Sequence, residues 1–156
     1  FDLIETTTHH YETLIQAFPD LVNKLEVITI VTSSETLIEL AQISPEIRVV
    51  AWTISNRFME NLLWQIRDLE NIHIVKTFVS DKERDEIEES LKDADLLLTT
   101  KEYRNLGEPF MINLIKKYKE RGGRVLDFEY VFDPGSILHL QTRICEKIAE
   151  KEKNML

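Results

Sequence analysis

An α/β fold is the class this sequence predicts, as a three-layer sandwich with a five-stranded, mostly parallel sheet, flavodoxin-like or Rossmann-like, and one helix ahead of it. Three observations carry that prediction. Short apolar runs rich in Val, Ile, Leu and Phe recur along the chain, as strands buried on both faces require. Each run is followed by a stretch with apolar residues three and four apart, the spacing of one helix face. The chain is 156 residues long, enough for one domain that buries roughly 70% of its unfolded surface without a metal or disulfide staple.

The elements follow in order. Residues 1–24 read as a helix and linker, the helix running roughly from Tyr11 to Val22 and bent at Pro19; residues 25–156 read as one α/β domain. The runs are "EVITIVTS" (26–33), "IRVVAWTIS" (47–55), "IHIVKTFVS" (72–80), "DLLLTT" (95–100) and "RVLDFEYVFD" (124–133). The helical patterns after them include Phe58, Leu62, Trp64 and Ile66 with Leu69, and later Ile137, Leu140, Ile144 and Ile148. Strands alternating with helices imply parallel pairing through right-handed crossovers and helices on both sheet faces. The first run is apolar throughout, so a 2-1-3-4-5 order with that run in the middle is expected.

In such sheets ligands bind at the carboxyl ends of the strands, near the point where the winding reverses. The candidate ligand-binding residues are therefore Thr32, Ser33 and Ser34 after the first run, Thr53, Ser55, Asn56 and Arg57 after the second, Ser80 after the third, and Thr99 and Thr100 after the fourth. Asp81, Lys101 and Asp133 share the rim. Hydroxyls and amides dominate it, and it lacks the His or Cys that nucleophilic catalysis needs beside an activated hydroxyl. No catalytic residue, metal ligand or cofactor is assigned. The four glycines, Gly107, Gly122, Gly123 and Gly135, leave the first turn without a dinucleotide fingerprint.

A structural duty competes with ligand binding at this rim. Thr32 with Glu35 and Ser80 with Glu83 both match the capping box, Ser55 and Asp133 are further caps, and Pro134 suits a first helical position. Capping employs about one hydroxyl per helix and leaves Ser33 or Ser34, Thr53 and Asn56 without a structural duty, and so open to a ligand. His9 and His10 read as a solvated helix start, and Trp52 and Trp64 as core or interface residues.

Charge and cysteine count bound the partners. With 28 acidic and 19 basic residues the formal net charge is −9, which repels nucleic-acid phosphates. The basic "LIKKYKERGGR" reads as a helix C-terminus whose cations complement the dipole. A single cysteine, Cys145, permits no internal disulfide and suits a reducing compartment. No apolar run approaches the ~18 residues of a membrane span, and the first residues lack a signal-peptide pattern. The expectation is a cytoplasmic chain with no membrane partner.

"ADLLLTT" (94–100), "GGRVLDFEYVFDPGSILHLQTRI" (122–144) and "RVVAWTIS" (48–55) resemble the C-terminal domain of some GntR-type bacterial transcription regulators, most closely at Phe132-Asp133-Pro134-Gly135-Ser136. In those proteins an N-terminal winged helix-turn-helix binds DNA. The resemblance implies a homodimeric domain that senses a small-molecule effector, with an anionic one in view, and touches DNA only through a domain absent from this chain. A start at Phe1 rather than Met fits that expectation. Two alternatives stand beside it: a flavodoxin-like enzyme acting on a nucleotide or sugar phosphate, its anion held by Lys101 or Arg57, and a dimerisation module without a ligand.

Overall fold

The computed structural model describes residues 3–154 and is α/β. The chain divides into two compact units. One runs from Thr32 to Glu129; the other joins the segment up to Val31 to the segment from Tyr130 onward.

The Thr32–Glu129 unit holds a four-stranded parallel sheet of β4 (Val49–Thr53), β5 (Ile74–Val79), β6 (Leu96–Thr100) and β7 (Arg124–Phe128), in the order β5-β4-β6-β7. β4 and β6 are buried at all five positions, as central strands covered on both faces must be. Side chains alternate across a strand. Val50, Trp52, Phe78 and Leu97 form one core with Ile87 and Leu91 of α4 (Arg84–Lys92) and Met111, Ile115 and Tyr118 of α6 (Pro109–Glu120). The alternate residues Val49, Ala51, Leu96, Leu98 and Leu126 are buried too. Their face is left to α2 (Ser34–Ala41), which contacts β7, and α3 (Asn56–Ile66), which contacts β4. α3 buries Met59, Leu62 and Ile66; of the predicted stripe Leu62 and Ile66 are buried, Phe58 and Leu69 are half-buried, and Trp64 is exposed, with Arg67 stacked over its ring.

The strand order corrects one expectation. The middle place assigned to the first apolar run is held by the second, because β4 pairs with both β5 and β6. Counted from β4 the order is 2-1-3-4, so the winding reverses between β4 and β6. Those two strands are the most completely buried, which is why they take the centre.

The other unit contains β1 (Ile4–Thr7) and α1 (Thr8–Ala17), then a 3-10 turn from Pro19 to Lys24, then β2 (Leu25–Ile28) parallel to β1. The opening helix thus starts before Tyr11 and stops ahead of Pro19, whose ring cannot continue it. The strand in front of it was not foreseen: "IETT" is too short to carry a period. The first apolar run is also interrupted. β2 ends at Ile28 and β3 (Ile30–Thr32) pairs instead with β8 (Tyr130–Phe132). At the break, Thr29 N–H donates to Ser136 Oγ and Thr29 C=O accepts from Asp133 N–H, so its backbone is satisfied at the start of α7 (Pro134–Asn154). Asp133 caps α7 as expected, accepting from Ser136 N–H at 2.8 Å. Across this unit Glu26 of β2, nearly buried, accepts from Arg143 Nε at 2.8 Å and lies 3.1 Å from His139 Nε2. Those contacts hold α7 on β2.

Candidate functional site

The rim hydroxyls divide into those with a structural bond and those without. Ser33, not Thr32, caps α2: its Oγ accepts from Thr36 N–H at 3.1 Å and donates to Thr36 Oγ1 at 2.9 Å. The expected capping box is displaced by one residue because Ser33 N–H is already drawn to Glu129 C=O at 2.9 Å, which sets Ser33 in the extended cap conformation. Ser55 caps α3, accepting from Phe58 N–H at 3.4 Å. Thr53 Oγ1 donates to Ser55 C=O at 2.9 Å, and Thr99 Oγ1 donates to Trp52 C=O at 2.6 Å. Ser34, Asn56 and Arg57 open α2 and α3 with exposed side chains.

Three candidates remain. Thr32, Ser80 and Thr100 each bury the side-chain oxygen with no hydrogen-bond partner, and Thr100 is 0% exposed. Burying a hydroxyl without a partner costs about 1–3 kcal/mol, and native proteins carry few such groups.

Ser80 is the most constrained of the three. It has φ 59°, the one positive-φ residue other than glycine among the described residues, where a Cβ costs about 1–2 kcal/mol. β4 holds it there: Ser80 N–H donates to Thr53 C=O at 2.8 Å, and Trp52 Nε1–H donates to Ser80 C=O. The capping box expected from Ser80 and Glu83 therefore does not form. α4 begins later, at Arg84, and its N-cap Glu83 makes no side-chain bond.

Ser80 lines a cleft of about 110 Å³ with Ile54, Asp81, Leu106, Glu108 and Met111. The cleft gathers the residues that follow β4 and β5 with the connection after β6, and so lies beside the reversal point between β4 and β6. Of the ten residues assigned from sequence, Ser80 alone lines it. Asp81 pairs with Arg84, whose guanidinium also stacks 4.9 Å over the Phe110 ring. Leu106 ends α5 (Tyr103–Leu106), and Glu108 precedes Pro109 of α6. Between them Gly107 makes the turn, since a Cβ there would strike the Tyr103 carbonyl oxygen. Neither Leu106 nor Glu108 stands out in the sequence; the only signal was the Gly107–Pro109 punctuation of the helical pattern.

Lys101 and Arg104, next to the end of β6, are paired with Glu129 and Asp127. A second, more open hollow of about 350 Å³ in the other unit is lined by Glu5, Thr6, Thr7, His10, Thr13 and Leu14. The side chain of His9 lies outside what the structure describes. Among the described residues no group of three or more His, Cys, Asp or Glu side chains could hold a metal ion, and no helix is long and apolar enough to cross a membrane. Cys145 is exposed. No family model, curated protein or solved structure matches the chain.

Proposed function

We propose that this chain is the ligand-sensing and dimerisation domain of a GntR-type bacterial transcription regulator, binding a small effector at the carboxyl ends of its strands and reaching DNA through a separate domain. One observation carries the sensing part: three rim hydroxyls, of Thr32, Ser80 and Thr100, are buried without partners, while neighbouring Ser33, Thr53, Ser55 and Thr99 are all employed. Helix caps at Ser33 and Ser55 and bonds to backbone carbonyls at Thr53 and Thr99 account for the second set and not for the first. The cleft beside Ser80, at the reversal of the winding, is where such a sheet takes a ligand. An effector there shifts the balance between two arrangements of the dimer to the extent that it binds one of them better, and paired DNA readers need a fixed half-site spacing.

The finer fold belongs to the same proposal: a three-layer, five-stranded, flavodoxin-like sandwich. For the dimer, α7 offers Leu138, Ile144 and Ile148, 65%, 43% and 54% exposed. The enzyme alternative would hold its phosphate with Lys101 or Arg57, whereas the charged residues lining this cleft, Asp81 and Glu108, are both acids.

Thermal unfolding of the chain against a panel of amines, amino acids, carboxylates, nucleotides and sugar phosphates tests the proposal. A ligand at 100 times its dissociation constant adds about 2.7 kcal/mol, several degrees for a domain of this size. A concentration-dependent rise from at least one class is expected. No rise from any class removes sensing and leaves a dimerisation module.

A further inference from the structure

Charge and shape in the Ser80 cleft narrow the class of ligand. Both charged side chains that line it, Asp81 and Glu108, are carboxylates. Asp81 shares its charge with Arg84. Glu108 caps no backbone group with its side chain and joins no ion pair among the described residues, so the cleft keeps a negative charge that no described cation offsets within a chain of formal net charge −9. An anion entering here meets repulsion at short and long range, and a cation meets attraction at both.

The remaining walls choose between kinds of cation. Ile54, Leu106 and Met111 supply apolar surface, which a hydrated divalent ion does not use. Calcium needs six to eight oxygen ligands and magnesium an octahedron of them, while no cluster of three or more candidate acidic or imidazole ligands exists among the described residues. An ammonium group needs only a few acceptors, and its carbon chain buries against apolar walls. Ser80 lines the same cleft, and its side-chain oxygen is buried without a hydrogen-bond partner; an N–H that reaches it supplies the bond it lacks.

We infer that the cleft between the ends of β4 and β5 and the start of α6 binds a short primary alkylammonium group, held by Glu108, Asp81 and the Ser80 hydroxyl with its carbons against Ile54, Leu106 and Met111. This rests on the sensing reading and gives its effector a positive charge. The volume of about 110 Å³ restricts the buried part to a chain of a few carbons; a larger effector presents such a group as its end.

Two probes separate the classes: n-butylammonium chloride and sodium butyrate, equal in carbon count and opposite in charge. Each is titrated at matched ionic strength into the ¹⁵N-labelled chain while amide shifts are followed by NMR. Butylammonium should give saturable shifts at Ser80, Asp81, Glu108 and Met111, and butyrate none there. Glu108→Gln, a change at an exposed side chain that caps nothing, should weaken butylammonium roughly tenfold or more, the loss of one charge-assisted hydrogen bond. Undiminished binding by that variant overturns the inference, as does preference of these amides for butyrate. If butylammonium leaves the cleft amides unmoved while another member of the metabolite panel raises the melting temperature, the ammonium assignment falls and sensing stands. If the panel raises nothing either, both fall.

Discussion

Thr99 and Thr100 are adjacent, fully buried and chemically identical, yet they face opposite sides of the sheet and have opposite fates. Thr99 donates to Trp52 C=O, and Thr100 donates to nothing. Replacing each by the isosteric Val separates a bonded hydroxyl from an idle one. Thr99→Val should cost about 1–3 kcal/mol, because a carbonyl loses its partner, whereas Thr100→Val should leave the unliganded chain as stable or raise it by up to about 1 kcal/mol. Urea unfolding of the two variants reads both effects. The sequence cannot distinguish them, since its alternation marks which residues share a face but not which carbonyl lies within reach. The same limit explains the displaced cap at α2. "VTSSET" contains several competent caps, and the choice of Ser33 is made by the bond from its N–H to Glu129, almost a hundred positions away in the chain.

Elements were legible where burial is uniform. β4 and β6 read as continuous apolar runs and are central; α3 reads at helical spacing and buries Leu62 and Ile66 of its stripe while Trp64 stays exposed. Legibility ended where partners change along one strand, as at Thr29 between β2 and β3. It also ended at four-residue pieces such as β1 and α5, too short to show a period. α6 shows how an element is secured to the sheet by more than its apolar stripe. Tyr118 is 2% exposed, its hydroxyl donates to Ala94 C=O at 2.9 Å, and Arg121 stacks 5.1 Å over its ring. Burial pushes this hydroxyl above its ordinary value of 10.0, and the nearby Arg121 charge opposes the rise in part. Because the folded-state value is the higher one, the stability tied to neutral Tyr118 is fully present below pH about 10 and is lost as pH climbs beyond it. Tyr118→Phe should therefore cost about 1 kcal/mol at neutral pH and flatten the alkaline part of the pH–stability curve relative to the parent, measured by unfolding between pH 8 and 11.

For the molecule as a whole, α/β class and a rim at the strand ends could be read from residue order, but the cleft could not. Ile54, Ser80, Leu106 and Glu108 come from three separate connections, and only the pairing of β4 with both β5 and β6 brings those connections together. Ser80 marks the place, being held at positive φ by the bond from its N–H to Thr53 C=O and the bond its carbonyl accepts from the Trp52 side chain, and strain kept at a strand end is a common sign of function. Serving a ligand and serving the fold make opposite demands on such a residue. The most direct measurement joins both demands in one variant, Thr32→Val with Ser80→Gly and Thr100→Val, compared with the parent by thermal unfolding alone and with whichever ligand raises the parent's melting temperature. If the idle hydroxyls serve a ligand, the unliganded variant melts at or above the parent temperature, since buried unpaired groups and a strained Cβ are gone, and the ligand-induced rise disappears. A variant that melts lower while keeping the full rise would contradict the account.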